Sequence, residues 1–244
     1  MNLDHLISKF KPILVLHPFE EFFPASIDFI LLNSSLYLDN QCIVPKERLT
    51  LDNLSTYSKR YGCGVYVEID PYIWDGEAYN LNDVPYYLTY YETDKHYVLQ
   101  FFFLYVYNGK KQFDHKHISL FINKNSEQLD KAFYSDIGDY GVWLDRKDII
   151  MYWEQPIIFV SKLSHNNYNK LGKRYCKFGF SNDLFADGYH WEPKHCVIVD
   201  NNTSWNQFTG TFGKNGTRVP RLSSWWKHEF GKNSNWIQRF FGCL

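Results

Sequence analysis

Three features of this sequence predict an all-β fold: a single-domain antiparallel β-sandwich over residues 1–244, with long loops and a few short helices. First, residues 97–107 are apolar on both alternating sets. Tyr97, Leu99, Phe101, Phe103, Tyr105 and Tyr107 oppose Val98, Phe102, Leu104 and Val106, with Gln100 the one break. Such a strand is covered on both faces, so it belongs mid-sheet or between two sheets. Second, aromatic residues make up 19% of the chain, which favours strands and supplies a sizeable core. Third, Asn108-Gly109 separates that run from an alternating one, in which Ile118, Leu120 and Ile122 oppose His117, Ser119, Phe121 and Asn123. Asn-Gly favours positive φ angles and predicts a tight hairpin. With residues 86–91 upstream, the stretch reads as a three-stranded antiparallel meander.

Taken in order, residues 3–10 suit a short helix, stopped by Lys11-Pro12. Residues 13–16 suit a strand. The segment HPFEEFFP, residues 17–24, is a rigid connector, and Ser26 is placed to cap an apolar segment over 27–32. Residues 33–64 read as irregular, apart from a helical turn over 50–58. Residues 65–69 form a strand ended by Asp70-Pro71, and a loop over 72–83 leads into the meander. After a polar stretch to Asp130 come 133–143 with Gly138 and Gly141, then strands at 149–153 and 157–160. The second of these ends in Ser164-His165-Asn166-Asn167-Tyr168. Residues 169–195 are loop-rich, 196–199 form a late strand, and the last fifth carries Trp205, FTGTFG over 208–213, and Trp225-Trp226. The chain has no internal repeat and no linker, so one domain is expected.

Composition narrows the function classes. A formal net charge of -1 provides no global pull toward nucleic acid or an anionic membrane. The small basic clusters at Lys110-Lys111 and around Lys170, Lys173, Arg174 and Lys177 read as solvated faces. The five cysteines are widely spaced and include no CxxC, which excludes a disulfide framework or a cysteine zinc site. Reduced thiols and a cytoplasmic setting, or a virion, are expected. The N-terminus carries no signal-peptide pattern and no apolar run is long enough to span a bilayer.

The candidate site lies at the mouth of the second apolar run. Asp114 and Lys116 share one face of the strand; His115 and His117 share the other. Asp114, His117 and His165 are candidate metal ligands by residue type, but Lys116 beside Asp114 opposes a cation, so no cofactor is expected. Ser164-His165 does not read as nucleophile and base, because neighbours on an extended segment point apart. The loop Asp187-Gly188-Tyr189-His190-Trp191-Glu192 holds ligand types suited to a metal or a sugar, Asp187 and His190 foremost. The aromatic tail, with Trp225, Trp226, Trp236, Phe240 and Phe241, reads as packing against the sandwich rather than as a membrane anchor.

Four segments in order carry a resemblance: KPILVLHPFEEFFPASIDFIL, FDHKHISLFI, PIIFVSKLSHNNY and FTGTFGKNGTRVPRLSSWW. Together they resemble the vacuolar protein sorting-associated protein 62-like family, which has members in large DNA viruses. In its central motif that family is similar to the necrosis-inducing toxin-like proteins, β-sandwiches with a divalent metal in a cleft. The resemblance implies that Asp114 and His117 match the motif's Asp and His, while Lys116 stands where those relatives have a metal-holding Glu. The leading functional expectation is a non-enzymatic binding or structural module for a small ligand or protein partner. A metal-dependent hydrolase or lectin-like site comes second, and a membrane-active or trafficking-associated protein third.

Overall fold

The computed structural model describes residues 2–135, 141–174, 183–200, 202–214, 216 and 218. The aromatic tail over 225–241, Gly138 and Lys177, all singled out from the sequence, lie outside the described residues.

Among the described residues, three α-helices form where caps and periodicity coincide. Helix α1 (Leu3–Phe10) begins with the Asn2 side chain accepting from His5 N, and buries Leu6 and Phe10. Helix α2 (Ile27–Leu32) is capped by Ser26, whose hydroxyl accepts from Phe29 N at 3.2 Å. Helix α3 (Leu51–Tyr61) runs past the predicted turn, because Thr50 and Asn53 cap each other reciprocally and Gly62 ends the helix at φ 68.

The strands are β1 (Ile13–Leu16), β2 (Ser34–Leu38), β3 (Gln41–Val44), β4 (Val65–Ile69), β5 (Tyr86–Glu92), β6 (His96–Tyr107), β7 (Gln112–Asn123), β8 (Leu129–Ser135) and β9 (Gly141–Asp145). They continue as β10 (Met151–Tyr152), β11 (Gln155–Val160), β12 (Asn167–Tyr168), β13 (Gly172–Arg174), β14 (Asp183–Phe185), β15 (Tyr189–Trp191), β16 (Cys196–Ile198) and β17 (Thr211–Phe212). The meander is the heart of a six-stranded sheet ordered β16-β5-β6-β7-β8-β9. A second sheet runs β10-β11-β1-β15 with β12 also on β11, and a third runs β17-β4-β2-β3.

Both faces of the six-stranded sheet are covered, as the two-sided apolar pattern of 97–107 requires. On one face Leu99, Phe101, Phe103, Tyr105, Ile118 and Leu120 pack against α1, β1, β11 and the fully buried Trp191. On the other, Phe102, Leu104, Val106 and Phe113 pack against α2, β2, β4 and Phe212.

Two sequence expectations need correction. The sheets are mixed, not purely antiparallel: β1 pairs parallel with β11, β16 with β5, and β17 with β4. Each parallel pair joins segments far apart in sequence, through long connections that local patterning cannot reveal. The predicted hairpin at Asn108-Gly109 is present, with residues 108–111 joining β6 to β7. The Asn108 side chain accepts from Lys110 N and Lys111 N, and only Gly109 carries positive φ. Residues 34–44, read as irregular, form the β2–β3 hairpin, whose two turn residues Asp39 and Asn40 both have positive φ.

Cys42, Cys63 and Cys196 are free thiols. Among the described residues no helix is long and apolar enough to cross a membrane.

Candidate functional site

The β6–β7 register sets Tyr105 opposite Asp114 and Phe103 opposite Lys116. Asp114 and Lys116 alternate onto the face that carries the first core, although both are charged and each is only 5–6% exposed. Just before them Phe113 takes φ 56, unusual inside a strand, and stacks on Phe212 with ring centroids 4.2 Å apart.

Two loops close over the pair. The first is residues 17–24, between β1 and α2. The second, residues 161–166, follows β11; it folds back through bonds from Ser161 N to Asn166 O at 3.0 Å and from His165 N to Ser161 O at 3.1 Å. Leu163 and His165 both take positive φ there, which turns the fully buried His165 ring inward. The ring stacks on Tyr105 at 3.7 Å and 3°. Its Nδ1 lies 3.2 Å from Asp114 Oδ2 and its Nε2 lies 3.1 Å from the Phe22 carbonyl. Both ring nitrogens thus lie within hydrogen-bond distance of an oxygen. Lys116 Nζ stands 3.7 Å from the same Asp114 oxygen.

Glu20 fastens the two loops together. Its buried carboxylate accepts from Glu21 N, from Phe22 N and, across the gap, from Leu163 N at 3.1 Å. Lys162 and Glu21 add an ion pair at 2.6 Å on the surface above. Beneath, Ser135 Oγ accepts from His117 N and Asn167 Nδ2 donates to His117 O, which holds β7, β8 and the loop end in place.

Electrostatics follow from this packing. Burial alone would push the Asp114 carboxyl up. The Lys116 ammonium and the His165 hydrogen bond outweigh it and hold the group well below the usual carboxylate range. His117 is pushed down to about 3, first by burial and then by His115 and Lys116. His115 is pushed down to about 4, chiefly by burial. Burial, with Glu20 and Asp114 nearby, raises the Tyr105 phenol well above its ordinary value.

Of the seven side chains singled out from the sequence, the structure brings three together: Asp114, Lys116 and His165. His115 and His117 lie on the opposite face of β7. The His117 ring sits 5.7 Å from Phe133 and 5.8 Å from Phe102. Asp187 and His190 are exposed and pair with each other at 3.2 Å, at the β15 edge of the second sheet. The set Asp114, His117 and His165 therefore does not converge. Among the described residues no three His, Cys, Asp or Glu side chains are placed to hold a metal ion. Ser164 Oγ donates to Asp183 Oδ1 at 2.6 Å, while both nitrogens of the adjacent His165 are engaged elsewhere. Sequence reasoning missed Glu20, Tyr105, Ser135 and Asn167. A Glu in a proline-bounded aromatic connector was the available signal for the first; the other three depend on strand register.

No protein-family model matches this chain, and no curated protein matches it. Solved structures do. NLPPya in complex with glucosamine aligns with a TM-score of 0.51 and 11% identity, over 91% of this chain and 86% of that one. NLPPya in complex with mannosamine gives 0.50 and 11% over the same shares. Necrosis and Ethylene inducing Protein 2, from the causal agent of cocoa's Witches Broom disease, gives 0.39 and 11%, over 79% and 72%. At such identities the likeness is one of fold. The alignment with NLPPya spans most of both chains.

Proposed function

We propose that this chain is a non-enzymatic binding or structural module on a β-sandwich frame of the necrosis-inducing toxin type. The observation that carries the reading is the closed polar cluster. Asp114 lies against Lys116 and His165, two loops seal them, and the Glu20 carboxylate accepts backbone N–H groups from both loops. Such a cluster organises loops; it does not offer an activated nucleophile or a general base to a substrate. Lys116 supplies the positive charge that a divalent ion would otherwise bring to Asp114, which supports a module without a resident metal. The ligand-contacting surface in this reading is the exposed rim beside the cluster, with Asp187 and His190. The complexes of NLPPya with amino sugars are compatible with a binding role on this fold. The ordered motifs and the AT-rich codon preference of Asn, Lys, Ile, Phe and Tyr support affiliation with the vacuolar protein sorting-associated protein 62-like family and a large DNA virus source, with a cytoplasmic or virion location.

Metal analysis of the purified protein, with Asp114→Asn as the control, tests the reading. The expected result is no stoichiometric divalent metal in either protein. One ion per chain in the wild type, lost in the variant, would replace this reading with the metal-site alternative.

A further inference from the structure

The other end of the second sheet carries a feature that the polar cluster does not explain. Strands β1 and β11 run parallel, Ile13 beside Ile157, and both head toward the loops that hold Glu20 and His165. At their starting ends lies an open groove of about 480 Å³, lined by Ser8, Lys9, Trp153, Glu154 and Gln155. Trp153 is 84% exposed.

Trp153 sits in the two-residue turn of the β10–β11 hairpin, between Tyr152 and Gln155, which pair across the strands. Its φ is 56, whereas Glu154 is not among the residues with positive φ. A hairpin turn with positive φ at its first central position is the place where glycine is the usual occupant. The chain instead holds a large aromatic there, in an unfavourable backbone conformation and turned to solvent. Neither local propensity nor burial accounts for that choice, and backbone strain of this kind concentrates at functional positions. The surroundings indicate the ligand. Lys9 Nζ lies 3.1 Å from Glu154 Oε1, so the two charges of the groove cancel. What remains is an indole face bordered by a hydroxyl, an ammonium, a carboxylate and an amide. An aromatic face flanked by donors and acceptors, with no net charge, matches a neutral pyranose. Such a ring has one face of C–H bonds and a rim of hydroxyls.

We propose that Trp153, with Ser8, Lys9 and Glu154, forms a binding subsite for a neutral hexopyranose unit. The sugar's C–H face stacks on the indole and its hydroxyls bond to Glu154 and Lys9. The site stands apart from the Asp187–His190 rim and does not rest on the function proposed above.

The test is titration calorimetry of the full chain with glucose, galactose and N-acetylglucosamine, run separately. It uses wild type, Trp153→Gly, Glu154→Gln and His190→Ala, with a melting curve for each. At least one sugar is expected to bind the wild type and His190→Ala equally, to bind Glu154→Gln more weakly, and to bind Trp153→Gly about tenfold or more weakly. Trp153→Gly is expected to melt at or above the wild-type temperature, because glycine suits the turn. Retained affinity in Trp153→Gly, no binding of any of the three sugars by the wild type, or a marked fall in the Trp153→Gly melting temperature would each overturn the proposal. Loss of binding only in His190→Ala would place the sugar on the rim and overturn it equally.

Discussion

His165 lies flat on Tyr105, with ring centroids 3.7 Å apart and planes 3° from parallel, and through this stack it reaches Asp114. The phenol oxygen of Tyr105 is itself buried and has no hydrogen-bond partner among the described residues. The two residues should therefore respond in opposite ways. His165→Ala removes the cover of Tyr105 and leaves Asp114 and the Phe22 carbonyl short of a donor, at a cost of about 3–5 kcal/mol. Tyr105→Phe keeps the stack and deletes only an unpaired hydroxyl, so it should be neutral or stabilising by up to about 1 kcal/mol. Urea unfolding of both variants decides this. A Tyr105→Phe protein as unstable as His165→Ala would show that the hydroxyl has a partner.

Lys116 makes the second prediction. Lys116→Met leaves Asp114 buried with one counter-charge fewer and should cost about 3–5 kcal/mol. Lys116→Glu sets a second carboxylate beside Asp114. That variant should be less stable than wild type in chelator, yet recover on addition of calcium, magnesium or zinc, because an ion bound only by the folded state stabilises it. Melting curves with each ion are the measurement. A rise of several degrees in the wild type would restore the metal site and remove the role assigned to Lys116.

Acid stability gives the third. The folded-state value of His117 is depressed from 6.5 to about 3, so between these limits the unfolded chain binds the extra proton. Stability is thus fully present above about 6.5 and falls as the pH drops toward 3, by a few kcal/mol. The partly exposed His115 adds a smaller loss of the same sign. Asp114, depressed as well, contributes stability present above its ordinary value near 3.8 and lost below it. His117→Met should move the acid-unfolding midpoint to lower pH. An unchanged midpoint, followed by circular dichroism, would assign the sensitivity to other groups.

The fourth concerns Gly188, on the loop before β15. A Cβ there would lie 2.3 Å from the Leu16 carbonyl oxygen and 2.6 Å from Pro18 N. Both are backbone atoms at the start of the loop that carries Glu20, so neither can give way. Gly188→Ala should lower the melting temperature by several degrees. It should also weaken the β1–β15 pairing, visible as faster amide exchange at Leu14 and Leu16. A silent substitution would mean that this backbone approach is not needed.

Much of the fold was legible because it is local. The meander, α1 with its stop at Pro12, and the Ser26 cap all follow from patterns within a dozen residues. The β2–β3 hairpin has a turn signal in Asp39-Asn40, but its flanks alternate too poorly for the pattern to mark two strands. The parallel partners were not legible, since nothing in Ile13–Leu16 specifies Ile157–Phe159 as a neighbour. The site divided in the same way. The period of two separated Asp114 and Lys116 from His115 and His117 correctly. The meeting of Glu20, Tyr105 and His165 required two loops and one strand register to be known together.

The parallel pairing of β1 also has a consequence in time. Its partners on either side are Ile157–Phe159 and Tyr189–Trp191, so the N-terminal strand is made long before anything it can pair with. At ribosomal speeds of about 5–20 residues per second, Ile13–Leu16 waits on the order of ten seconds or more with both strand edges unpaired. Over that interval the nascent chain carries an adhesive, unpaired strand. Its yield in a cell should therefore depend on chaperone capacity more than the stability of the finished molecule would suggest.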